Sequence, residues 1–285
     1  MTKNDSDQYD LFNDLSRNLA APALHLELMG TAEILRQIER VTGRFARAAV
    51  EAAVARQKEI TPELLRILED TVLRAGDIDA GGDYMAHLYT MFLLAQFRES
   101  RAYPHLVQFC SLPGDLLHSL CGDFITESLG SVLASVCGGD LGGIQSIIAN
   151  EHADEWVRGA GLDGLVTLVA EGQTDRETIV AYFAQLFRTK LLRQPSEVWS
   201  SLVASACDLY PEELLDDIKQ AYREHLVDTF SIGMRDVMHD LLMGKNRVLA
   251  RLAGNRHHRF VRNTIDEMEW WDCFREGRDS YVLEL

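Results

Sequence analysis

From Thr31 onward the apolar residues recur three and four apart, and almost nowhere do they alternate with polar ones as in a half-buried strand. The clearest run follows Pro211. There Leu214, Leu215, Ile218, Ala221 and Tyr222 fall on one stripe, the spacing of a core-facing helix. Helix starts are equally legible. Thr61-Pro62-Glu63 places an N-cap, a first-turn proline and an acid in order. Thr174 to Glu177 fits a capping box. Pro195-Ser196-Glu197 and Tyr210-Pro211-Glu212 have the same character.

These starts repeat. First helices are predicted near Thr61, Ala102, Asp140, Thr174 and Tyr210, at intervals of 41, 38, 34 and 36 residues. Second helices follow near Asp83, Asp123, Ala153 and Ser196. One helix pair cannot bury its own apolar face, so pairs of this period stack and share a core. The expected fold is all-α, a HEAT/armadillo-like α-solenoid of stacked helix pairs. Residues 1–25 read as a flexible polar arm and residues 26–285 as a single solenoid domain. Trp270, Trp271 and Phe274 are expected to form a C-terminal aromatic cap over the open end of the last repeat.

The stretch HADEWVRGAGLDGL, which begins at His152, admits two readings. As chemistry, His152 and Glu155 share a helical face as a base and its partner. As architecture, Val157, Ala160, Gly161, Gly164 and Leu165 pack against near neighbours. Each glycine costs up to about 1 kcal/mol of helix propensity against Ala, which close helix approach can offset. Asp154 and Glu155 in the first turn suit the positive end of the helix dipole. The surrounding repeats favour architecture.

Composition narrows the function. With 47% hydrophobic and 25% charged residues the chain is of ordinary globular type. Its start, MTKNDSDQYD, has no basic or apolar leader, and no apolar run reaches membrane-spanning length. The expected location is the cytoplasm, with no membrane partner. Cys110, Cys121, Cys137, Cys207 and Cys273 are dispersed and include no C-x-x-C pair, and the histidines show no zinc-like spacing. Neither a metal nor a cofactor is expected. H-E-x-x-H, G-x-S-x-G and the phosphate-cradling P-loop are absent. The net charge of −16 speaks against nucleic acid as a partner.

Two charge patterns remain. Four second helices open with Asp83, Asp123, Asp154 with Glu155, and Glu197, and their faces continue through His87, Glu127, Arg158 and Ser201. In a solenoid these residues can line one concave acidic groove for a protein partner with a cationic segment. The plainer reading is dipole complementarity at each helix start. Conversely, Leu241 to Thr264 carries Lys245, Arg247, Arg251, Arg256, Arg259 and Arg262 and no acid. Asp266, Glu267, Glu269 and Asp272 follow and can neutralise it. The leading function is a non-catalytic protein–protein interaction scaffold or regulator. The alternatives are an enzyme with a groove-lining active site, and nucleic-acid binding through the strip 245–262.

Several stretches resemble one bacterial family. They are ITPELLRILED from Ile60, DYMAHLYTMFLLAQFRESRAYP from Asp83 and LPGDLLHSLCGDFITESLGSVLASV from Leu112. VRGAGLDGLVTLVAEG from Val157, PSEVWSSLVASACDLYPEELL from Pro195 and IDEMEWWDCF from Ile265 continue the likeness. The chain is similar to domain-of-unknown-function family 1186 over most of its length. That resemblance implies a helical-repeat fold and no particular activity. It also implies, for some relatives, a cysteine-rich metal-binding tail, which these residues do not include.

Overall fold

In the computed structural model, which describes residues 29–275, every regular element is helical. The one β-type contact among the described residues is an isolated bridge between Arg40 and Tyr84. The chain is all-α. The arm expected over residues 1–25 lies outside the described residues.

Five first helices are Gln57–Leu73, Tyr103–Phe109, Gly142–Ala149, Arg176–Gln185 and Leu215–Arg223. Four second helices are Ala86–Gln96, Leu129–Val136, Glu155–Ala170 and Glu197–Asp208. The second helices pack on one another in chain order. Gln57–Leu73 packs on Tyr103–Phe109, and that helix on Gly142–Ala149. Tyr182 then donates its hydroxyl to the Gln145 carbonyl at 3.2 Å, carrying the row forward. Buried Arg176 clamps the next turn, donating to the carbonyls of Leu209 and Tyr210 and to both oxygens of Glu213.

The closest approach in the second row lies between Leu129–Val136 and Glu155–Ala170. A Cβ on Gly130 would stand 2.7 Å from the Ala160 carbonyl oxygen and 3.1 Å from the Gly164 nitrogen. Only two facing glycines let these backbones meet, which offsets the propensity both helices forgo.

Helix starts differ from expectation in instructive ways. The first long helix begins at Gln57, not Thr61, so Pro62 lies inside it and Thr61 donates its hydroxyl back to the Gln57 carbonyl. Burial of Ile60 and Thr61 draws the earlier residues into the helix. The cap before Arg176–Gln185 is Asp175, whose side chain accepts from the Thr178 amide at 2.7 Å; the expected box on Thr174 is displaced by one residue. His152 precedes the Glu155–Ala170 helix and is exposed, so it shares no helical face with Glu155. Asp154 caps that helix instead, accepting from the amides of Trp156 and Val157.

Residues 255–274 turn back along the face of the second helices, meeting them in reverse order. His258 reaches Asp208 at 3.1 Å. Phe260 N–H and the Arg262 guanidinium reach Glu171 at 2.9 and 3.1 Å. Ser131 donates to the His257 carbonyl, and Val261 N–H donates to Ser135. Thr264 donates twice to Gln96. Farther on, Arg47 pairs with Glu269, Trp271 packs on Phe92 at 5.8 Å, and Phe274 packs on Phe45 at 5.4 Å. The aromatic cluster therefore covers the beginning of the helix array and not the last repeat as expected. The return segment also explains why Ala86 to Ala95 are buried all round: first helices cover one side and the chain's own end covers the other.

Candidate functional site

The eight residues singled out from the sequence do not share one surface. Asp83 forms an ion pair with Arg40. His87 is 1% exposed and points inward, with Nε2 2.8 Å from the Leu120 carbonyl; burial lowers its pKa to about 4. It lies in the first turn of a helix buried on every side, out of reach of a groove ligand. Asp123 and Glu127 are exposed at either end of the short Phe124–Glu127 helix. Ser201 faces Gly159, its hydroxyl 2.8 Å from where a Cβ on that glycine would stand.

Glu155, Arg158 and Glu197 do come together. Glu155 Oε2 accepts the Glu197 amide at 2.7 Å, so one second helix caps the start of the next. Burial raises the Glu197 pKa, and the charges of Glu155 and Asp228 add to the rise. Arg158, 8% exposed, donates from Nε to the Ile148 carbonyl at 2.9 Å. Glu155 and Arg158 line a cavity of about 220 Å³, whose far wall is Leu191, Leu192 and Trp199. A π-helical turn at Leu186–Lys190 precedes that wall and positions it.

A larger cleft lies beneath the return segment. About 410 Å³ are enclosed by Glu127, Ser131, Arg256, His257, Asp266, Glu267 and half-exposed Trp270. An adjoining space of about 260 Å³ shares Glu127, Ser131 and His257 and reaches Asp163 and His258. Burial raises the Asp163 carboxyl to about 6; Asp208 adds to the rise and His258 opposes it. Burial works against protonation of His258, but its hydrogen bond to the Asp208 carboxylate and the charges of Asp208 and Asp163 outweigh it and raise its pKa. Asp208 also lies 3.8 Å from Arg251, which holds Asp240 through two bonds.

Sequence reasoning passed over Asp163, Glu171, Asp208 and His258. One signal for Asp163 was present: it is a lone acid inside GAGLDGLVTLVA, where an exposed residue has no reason to interrupt the apolar run. The other three acquire meaning only through the return segment. Ion pairs occupy much of the basic strip. Lys245 pairs with Glu177, Arg251 with Asp240, Arg259 with Glu267, and Arg262 with Glu171. Of the acids that follow the strip, Glu267 alone pairs with it among the described residues; Asp240 comes from the helix just before it, and Glu171 and Glu177 from distant ones. No group of three His, Cys, Asp or Glu among the described residues is placed to hold a metal ion. No helix among them is long and apolar enough to cross a membrane.

A family described as "Protein of unknown function (DUF1186)" matches residues 29–275. An uncharacterized protein of Chlamydia trachomatis serovar D is 39% identical over 246 residues, covering 85% of this chain and 96% of the relative. An uncharacterized protein of Chlamydia muridarum is 37% identical, covering 85% and 97%. No solved structure matches the chain.

Proposed function

We propose that this chain, which belongs to the DUF1186 family, is a HEAT-like α-solenoid that works in the cytoplasm as a non-catalytic protein–protein interaction scaffold. Its docking face is the acidic side of the second helices, and its partner presents an extended cationic segment. One observation carries this reading. The chain's own Arg262 and His258 lie on that face in an irregular stretch, met by carboxylates of two successive second helices, Glu171 and Asp208. The same chemistry suits a foreign segment. The open cleft beside the return segment offers Glu127, Asp266 and Glu267 as carboxylates and Trp270 as a surface for a cationic side chain. Asp123, one residue before the Phe124–Glu127 helix, extends the acidic rim.

The test is affinity purification of the full chain with quantitative mass spectrometry, followed by titration of the recovered partner. A stoichiometric protein partner is expected, with affinity that falls as salt rises. Glu127→Gln with Glu267→Gln should weaken binding about tenfold. Affinity unchanged by both substitutions and by salt would overturn the reading.

A second reading is an enzyme, favoured by the raised Asp163 carboxyl beside the His258–Asp208 pair in a cleft. Under it, Asp163→Asn abolishes a turnover while leaving partner affinity intact. Under the scaffold reading the partner binds and is released unchanged.

A further inference from the structure

The cavity lined by Arg158 lies apart from the proposed docking cleft and has a different composition. Arg158 is one of the two arginines below a tenth exposure among the described residues. Unlike Arg176, which meets Glu213, it has no ion pair among the described residues, and its only hydrogen bond there is from Nε. Buried charges are ordinarily paired, because leaving one unpaired in a low-dielectric setting is costly. The two terminal nitrogens are therefore free to donate into the cavity, in the fork that suits a carboxylate.

The surroundings restrict what that carboxylate belongs to. Glu151 and Glu155 line the same cavity, so a simple anion would meet their repulsion. Both also raise the Arg158 pKa through their charges, although burial outweighs them and lowers it. A ligand that presents a cation to these acids and a carboxylate to Arg158 satisfies both. Leu191, Leu192 and Trp199 form the remaining wall, with Leu192 48% exposed at its edge. A volume of about 220 Å³ is below that of drug-sized sites, so the ligand is small.

We propose that this cavity binds a free α-amino acid with an apolar side chain. The carboxylate lies on Arg158, the ammonium on Glu151 and Glu155, and the side chain against Leu191, Leu192 and Trp199. Nothing in this assignment depends on the scaffold role, since none of the carboxylates proposed for partner docking lines this cavity.

The full chain should be titrated by calorimetry at neutral pH with leucine, valine, methionine and phenylalanine, and with leucinamide and N-acetyl-leucine. At least one free amino acid is expected to bind with Kd of about 1 mM or tighter. Leucinamide loses the Arg158 contact and N-acetyl-leucine the acidic one, so each should bind about tenfold more weakly than leucine or worse. Glu151→Gln, at an exposed position, should weaken the amino acid but strengthen N-acetyl-leucine, an anion that the Glu151 charge repels. No binding by any free amino acid at about 10 mM overturns the proposal. N-acetyl-leucine binding as tightly as leucine also overturns it, and would make the cavity a site for the C-terminus of a peptide. Equal binding of leucinamide overturns the role of Arg158.

Discussion

His258 Nε2 lies 3.1 Å from Asp208 Oδ2, fastening the return segment to the last of the stacked second helices. Asp163 faces the same histidine from the preceding second helix, and Arg251 approaches Asp208 from the helix before the segment. The joint is a small network in which one imidazole faces two carboxylates, Asp208 and Asp163.

That network makes stability depend on pH with a definite sign. The His258 pKa is raised, so its contribution is full below about 6.5 and is lost as pH rises through the folded value. Asp163 is raised to about 6 from 3.8, so the folded state holds a proton that the unfolded chain releases; stability falls as pH rises between these values. Asp163→Asn removes this second dependence. The variant should match the wild type near pH 4 and become relatively more stable towards pH 6, by on the order of 2 kcal/mol. Urea titrations across this range measure the difference, and a constant gap at all pH values would contradict it.

Gly130→Ala places a methyl 2.7 Å from the Ala160 carbonyl oxygen, where backbone and not a mobile side chain must yield. A loss of about 1–3 kcal/mol is expected. Gly76→Ala, in a helix with nothing within 4 Å, is the control and should be neutral or stabilising by up to about 1 kcal/mol. Equal effects at both positions would remove the case for close approach.

Glu155 caps its neighbour through a single acceptor oxygen. Glu155→Gln keeps a carbonyl oxygen for the Glu197 amide, whereas Glu155→Ala strands it. Alanine should therefore cost about 1 kcal/mol and glutamine distinctly less. Thermal unfolding of both variants checks the order.

Phe274→Ala should loosen the end of the return segment by removing a ring packed on Phe45, Tyr89 and Trp271. A cost of about 3 kcal/mol is expected for a buried phenylalanine. Limited proteolysis should then cut within residues 255–274 before the helices unfold. If cleavage begins elsewhere with the segment still protected, the segment is held by its polar contacts and not by this ring.

Much of the fold was legible because its causes are local. The stripe from Leu214 to Tyr222, the glycines after Val157 and the spacing of helix starts are properties of ten or twenty consecutive residues. Boundaries were less so. Pro62 looks like a helix start until Ile60 finds a core to enter, and Ser196 looks like a cap although the neighbouring Glu155 provides the bond.

By itself the sequence determined that the chain is helical and where several of its helices begin. Only the tertiary structure decided which side of those helices is covered. His258 meets Asp208 across 50 residues, and Arg47 meets Glu269 across 222. No periodicity marks such partners, because a turn in the chain and not a repeat in the sequence brings them together. The same cause divided the predicted row of acids. Helix starts that are equivalent in sequence became an ion pair at Asp83, a cap at Glu155 and an exposed rim at Asp123, according to what the rest of the chain laid beside each.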